Sequence, residues 1–262
     1  MWHERVITVS KLIFYPINNS AVLCATSEAL KQKGYGVVNQ PCESVTHLLL
    51  PVPSFDESGS VKGGGDLNGI LSKLPKHITI IGGNIPKDRF PAHKIIDLLQ
   101  DLTYLAGNAA ITAYCAVRLA MMELPVMLRG CRVLIIGWGR IGRCLAALLW
   151  ALEADVTIAA RGEEQRAMAH ALGYHAEDTA QLGENLNSFR LIFNTAPAPV
   201  LSEEQIEHCR DHCLKIDLAS TLGIAGKHVI WARGLPGKDA PESSGKLIAK
   251  TAIRLIEKER SL

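Results

Sequence analysis

Val133-Leu134-Ile135-Ile136-Gly137-Trp138-Gly139-Arg140-Ile141-Gly142 is the stretch whose reading decides the fold. Its four leading apolar residues read as a strand buried on both faces, and the glycines stand in the spacing G-x-G-x-x-G ahead of an apolar helix. In that spacing Gly137 permits a tight turn, Gly139 lets backbone approach a pyrophosphate, and Gly142 lets the helix pack close to the strand, with free N–H groups facing the anion. A plain strand-to-helix turn uses the same glycines. The context favours dinucleotide binding: a strand before, a helix after, and a second strand at Asp155 to Ala159. Trp138, Arg140 and Ile141 fall in the same candidate cofactor loop, where Trp138 would shield the cofactor or cover a domain contact.

The ribose-reading position of such a unit lies at the end of the second strand, about twenty residues on, where a carboxylate would accept from the adenosine 2′-hydroxyl. Here the chain reads Ala159-Ala160-Arg161-Gly162. Arg161 offers planar donors suited to a 2′-phosphate, so NADP is favoured over NAD. The alternative for Arg161 is a solvated charge at a strand end.

Outward from this core the chain alternates regularly: helix Ile141 to Leu152, helix Glu163 to Ala171, then strands Leu191 to Thr195, Leu214 to Leu218 and His228 to Ala232. That alternation predicts a parallel sheet covered on both faces. The first hundred residues alternate similarly, with strand-like runs Arg5 to Val9, Lys11 to Tyr15, Thr46 to Val52 and His77 to Ile81 and a periodic Ala21 to Lys33. From Ile95 to Met122 the periodicity becomes helical and ends before Pro125. The expected fold is α/β with two domains: a small N-terminal Rossmann-like α/β domain for substrate or partner (1–103), a connecting helix (104–125), a Rossmann dinucleotide-binding domain (126–240), and a C-terminal helix (241–262) that packs back on the first.

Charge and composition narrow the function. Hydrophobic residues make up 48% of the 262, which excludes a disordered chain, and 28 Lys and Arg against 26 Asp and Glu leave only +2. These charges are scattered, so nucleic acid is not expected as a partner. Seven cysteines without a secretory preamble argue against a disulfide framework and for a reducing, cytoplasmic compartment. The apolar run Leu12 to Ala25 is interrupted by Pro16, Asn18, Asn19 and Ser20, and Leu145 to Leu152 is too short to span, so no membrane association is expected.

Together with the glycine turn, four further segments carry a resemblance: Ala159-Ala160-Arg161, Asn194-Thr195-Ala196-Pro197, Ile216-Asp217-Leu218-Ala219-Ser220 and Gly234 through Pro241. From Asn108 to the C-terminus the chain resembles the family of dipicolinate synthase A subunits. The resemblance implies an NADP-binding Rossmann domain related to those of 2-hydroxyacid dehydrogenases. It also implies a flavoprotein B subunit as partner, and oxidation of a dihydrodipicolinate-type intermediate to pyridine-2,6-dicarboxylate in endospore formation. Three positions depart from the family pattern. Tyr15-Pro16-Ile17-Asn18-Asn19 stands where the family has Gly-Gly-Asp, Tyr114 stands where a Glu follows the Asn at Asn108, and Ser244 precedes Gly245 where a threonine is usual.

Removing a hydride from a dicarboxylated ring needs an acceptor, a proton acceptor and cations for two carboxylates. The strand ends Asn194 to Pro197, Asp217 to Ser220 and Arg233 to Lys238 are expected on the nicotinamide side. Lys238 is the first candidate carboxylate clamp, Arg233 the second, and Asn194 and Ser220 complete the catalytic candidates. Thr195, with Ala196 and Pro197, would meet the cofactor, although caps and turns are equally common uses of such side chains. Asp217-Leu218-Ala219-Ser220 and Gly237-Lys238 stand where related hydroxyacid dehydrogenases carry an Arg and a His, which disfavours simple 2-hydroxyacid chemistry.

His208-Cys209-Arg210-Asp211-His212-Cys213 would, on a helix, place two imidazoles one turn apart, but a metal would need a further ligand from elsewhere, and none is expected. Two other readings stay open: a nucleotide-binding regulatory or assembly protein without chemistry, and a dehydrogenase of another small acid. A homo-oligomer is expected.

Overall fold

The computed structural model describes residues 12–183 and 185–260, so the expected strand Arg5 to Val9 lies outside the described residues. The chain divides into two compact units, Met1–Leu105 with Pro241–Leu262, and Ala106–Ala240.

The first unit is built on β1 (Ile13–Pro16), α1 (Ala21–Gln32), β2 (Gly36–Val37), β3 (His47–Leu49), the short α2 (Leu67–Leu71), β4 (Thr79–Gly82) and β5 (Lys94–Asp97). Its five strands pair in parallel in the order β2-β1-β3-β4-β5. Parallel strands need covering on both faces, and Phe14, Leu48, Ile80 and Ile81 are accordingly buried. In α1 the buried positions Leu23, Thr26, Ser27 and Leu30 follow the i, i+3, i+4, i+7 spacing of one helical face. Ser20 caps that helix by accepting from the Leu23 N–H. The C-terminal helix Pro241–Arg260 packs against α1, and a Cβ on its Gly245 would lie 2.6 Å from the Ala25 Cβ, so a glycine there lets the two helices touch.

The sequence pattern missed two strands here. Gly36–Val37 is too short for a visible alternation, and Lys94–Asp97 lies inside the run read as helical from Ile95. That run is a strand first because its backbone completes the ladder to β4. The helix, α3 (Leu102–Glu123), starts only after Asp101, whose carboxylate accepts from the Tyr104 N–H at 2.7 Å. By length and composition α3 could span a membrane, unlike the shorter run at Leu145, yet Ala113, Ala116, Val117 and Ala120 on it are buried in core.

The second unit continues with β6 (Arg132–Ile136), α4 (Arg140–Ala151), β7 (Asp155–Ala160), α5 (Glu163–Ala171), β8 (His175–Asp178), β9 (Leu191–Asn194), α6 (Glu203–Glu207), β10 (Leu214–Asp217), β11 (Val229–Trp231) and α7 (Leu235–Asp239). Six parallel strands run in the order β11-β10-β9-β6-β7-β8, the Rossmann order with its switch point between β6 and β9. Val133, Leu134, Ile135 and Ile136 alternate between two core clusters, one on each face of the sheet. The strand β8, with its polar sequence His-Ala-Glu-Asp, is an edge strand that sequence pattern alone did not reveal. The segment His208 to Cys213 is not helical: α6 ends at Glu207, so the two imidazoles are not stacked on a helical face. No group of three or more His, Cys, Asp or Glu that could hold a metal occurs among the described residues.

Candidate functional site

The turn after β6 is organised by backbone geometry that only glycine tolerates. Gly137 has φ +105°, and a Cβ there would lie 2.6 Å from Thr195 Oγ1. At Gly142 a Cβ would fall 2.1 Å from the Gly137 carbonyl oxygen, so α4 is pressed against the turn. Gly139 differs from both: it is the N-cap of α4, has ordinary backbone angles, and a Cβ there would meet nothing within 4 Å. No side chain caps this helix end and no acidic residue stands in its first turn. The N–H groups that an α-helix leaves unpaired at its start therefore border open space, the arrangement that suits an anion.

A cleft of about 610 Å³ opens over this turn, a size suited to a small ligand. Gly137, Trp138 and Gly139 form its floor, Ala160, Arg161 and Gln165 one side, and Thr195, Ala196 and Pro197 the other. Arg140, Ile141 and Gly142 are not among its lining residues: Arg140 is exposed, Ile141 packs against the core, and Gly142 is buried. Trp138 is 7% exposed and sits edge-to-face on Tyr174, with ring centroids 5.8 Å apart, so it is a core side chain with one margin on the cleft.

The end of β7 carries a clamp that the sequence did not disclose. One guanidinium nitrogen of Arg166, Nη1, donates to the Ala160 and Arg161 carbonyls at 2.8 and 2.7 Å and meets Asp178 Oδ2 at 2.9 Å. Asp178 also accepts from the Ala180 N–H, and it lines the cleft together with Thr179. A carboxylate is thus present at the cleft, contributed by β8 rather than β7, with its charge met by Arg166. Arg161 itself is exposed on the rim.

On the other side, the strand ends of β9 and β10 are tied by a buried polar network. Asp217, wholly buried, accepts from Asn194 Nδ2, Ala219 N, Gly223 N and Ile224 N at 2.8–3.0 Å. Asn194 is equally buried; its amide donates to Asp217 and to the Ala196 carbonyl and accepts from the Ala196 N–H. The polar atoms of Asn194 are thus engaged inside the protein, where the residue shapes the loop that walls the cleft. Thr195, which lines the cleft, turns its Oγ1 toward the Ile136 and Gly137 carbonyls at 3.1 and 3.3 Å and so fastens the glycine turn. Ser220 and Lys238 are exposed, on the turn after β10 and on α7, and neither lines this cleft.

A profile of the Shikimate / quinate 5-dehydrogenase family matches residues 118–225, the part of the chain that builds the cleft. The A subunit of dipicolinate synthase from Bacillus subtilis (strain 168) is 25% identical, with 82% of this chain and 79% of that protein covered. The chain is similar to the dipicolinate synthase A subunits. The crystal structure of the A subunit from Bacillus halodurans has the same fold, with a TM-score of 0.82 at 20% identity over 94% of this chain and 97% of the other. A transhydrogenase from Sinorhizobium meliloti follows at 0.69 and 14% identity, over 94% of each chain. Likeness to the dehydrogenase profile and to the Bacillus subtilis A subunit supports an oxidoreductase role with a nicotinamide cofactor, and the solved structures show the shared fold.

Proposed function

We propose that this chain is an NADP-dependent oxidoreductase subunit that oxidises a dihydrodipicolinate-type dicarboxylate to dipicolinate during sporulation, acting in the cytoplasm with a flavoprotein partner subunit. The observation that carries the reading is the uncapped start of α4 at Gly139, opening into a cleft whose rim holds Arg161. Gly137, Gly139 and the first N–H groups of α4 would hold the pyrophosphate, and Arg161 the 2′-phosphate. When bound, the nicotinamide supplies the hydride acceptor. The protein's own part is to fix the loops: Asn194 and Asp217 hold the wall of the cleft in place, and Thr195 locks the turn.

A thermal-shift titration with NADP⁺ and NAD⁺ on wild type and Arg161→Ala tests the cofactor, because a ligand that binds the native state raises its apparent stability. A rise with NADP⁺ that Arg161→Ala removes supports the reading, and no rise with either nucleotide overturns it. Conversion of a freshly generated dihydrodipicolinate precursor, with the partner subunit present, tests the reaction.

A second reading is a nucleotide-binding regulatory or assembly protein. It is favoured by the placement of the three catalytic candidates, since Asn194 is buried and Ser220 and Lys238 lie off the cleft. A dehydrogenase of another small acid is the third, with the first unit setting substrate or partner choice. A panel of small acids followed at the reduced-nicotinamide absorbance separates these, and size-exclusion with light scattering tests the proposed homo-oligomer.

A further inference from the structure

Two charged side chains of opposite sign line the cleft, Arg161 and Asp178. In the register of the sheet Asp178 pairs with Ala160, the last residue of β7. The carboxylate therefore arises one strand spacing, about 4.8 Å, from the end of β7, where an acid that reads the adenosine 2′-hydroxyl stands in NAD-binding units of this fold. Neighbouring acids do not share the position. Glu163 and Glu164 lie in the first turn of α5 and Glu177 precedes Asp178 on β8, and none of the three lines the cleft.

Arg166 meets that carboxylate from α5. Its Nη1 stands 2.9 Å from Asp178 Oδ2, with the two side chains 24% and 29% exposed, so water screens the pair only in part. The same nitrogen donates to the Ala160 and Arg161 carbonyls and so fixes the main chain from which Arg161 projects. Asp178 Oδ1 is engaged separately, accepting from the Ala180 N–H at 2.9 Å. One carboxylate oxygen is thus held by backbone and the other by a cation, and Arg166 does not itself line the cleft.

We propose that Arg166 sets the cofactor preference of this cleft as a positioning residue: it compensates Asp178 and holds the Arg161 main chain, so that the cleft takes a nucleotide bearing a 2′-phosphate. The inference deepens the cofactor reading above and rests on it. With Arg161 and Asp178 alone, the charges lining the cleft cancel. With Arg166 paired to Asp178, the group of three carries one net positive charge, and a phosphate meets a cation instead of a bare acid. Without Arg166, Asp178 is an unpaired acceptor beside the ribose position, an arrangement that suits a 2′-hydroxyl and repels a phosphate.

The test measures the dissociation constants of NADP⁺ and NAD⁺ by isothermal titration calorimetry at one fixed ionic strength and reads their ratio, because a merely structural loss weakens both nucleotides together. In Arg166→Met we expect the preference for NADP⁺ to fall at least about tenfold, with NAD⁺ bound as well as before or better. Adding Asp178→Asn to Arg166→Met should restore the ratio to within about threefold of wild type, since the acid that Arg166 compensates is gone. Asp178→Asn alone keeps the shape of the side chain and should raise the preference about threefold by leaving Arg166 uncompensated. This variant keeps the proposal open to refutation even if Arg166→Met does not fold. A ratio unchanged in Arg166→Met, a double variant no better than Arg166→Met, or a preference that does not rise in Asp178→Asn would overturn the proposal and leave the cofactor reading standing. A wild type that binds neither nucleotide, or binds NAD⁺ more tightly, would overturn both.

Discussion

The two units place loops at comparable points, the carboxyl ends of parallel strands at a switch in strand order, yet they finish them differently. In the first, the loop between β1 and α1 is closed by its own side chains. Asn18 donates to the Lys62 and Gly64 carbonyls at 3.0 Å and accepts from the Ser20 N–H, while Ser20 caps α1. In the second, Gly139 offers no side chain, and the start of α4 faces the cleft. The same architecture thus gives one helix start satisfied internally and one left for an anion, and the difference lies in whether the capping residue brings its own acceptor.

The sharpest way to break the second arrangement is Gly142→Ala. Its Cβ would meet a backbone carbonyl that cannot step aside, so we expect a loss of about 3 kcal/mol in urea unfolding and loss of nucleotide binding.

Acid should act on the first unit instead. His47, buried in β3, is held down to about 4, first by desolvation and then by the Arg260 and Lys94 charges. Its folded value lies below the unfolded one, so the unfolded chain binds more protons between these two values. The associated stability is full above about pH 6.5 and falls as pH drops toward 4, by about 3 kcal/mol in all. Acid titration of stability followed by circular dichroism checks this, and His47→Gln should flatten the profile.

Gly139→Ala separates folding from binding. With ordinary backbone angles and open space for the new methyl, stability should change by less than about 0.5 kcal/mol, while the dissociation constant for NADP⁺ should rise about tenfold. Survival of full affinity in this variant would show that the anion does not use the open helix start.

The smallest effect is expected from Ser20→Ala, which removes the cap of α1. It should cost about 1 kcal/mol and leave nucleotide affinity unchanged, because that cap belongs to the unit whose loop is already satisfied.

The glycine turn was legible because each of its requirements is local: a buried strand, a positive φ at Gly137 and a close helix at Gly142 all leave their mark within ten residues. The parallel α/β architecture was legible for a related reason, since strands covered on both faces are apolar throughout and the helices between them keep a helical period. Three of the four edge strands escaped. β2, β5 and β8 are short or polar and acquire their conformation from the ladder of a neighbour, which no local pattern records.

The walls of the cleft escaped for the same reason. Asp178 reaches it only because β8 lies beside β7, and Asn194 is withdrawn from it because Asp217, twenty-three positions away, pairs with its amide. The sequence by itself determined a two-sided apolar strand, the glycine spacing and Arg161 at the end of the next strand. The tertiary structure decided which polar side chains face the cleft and which are consumed in holding it, because a hydrogen bond between residues distant in sequence depends on strand order and register, and these are settled only when the sheet assembles.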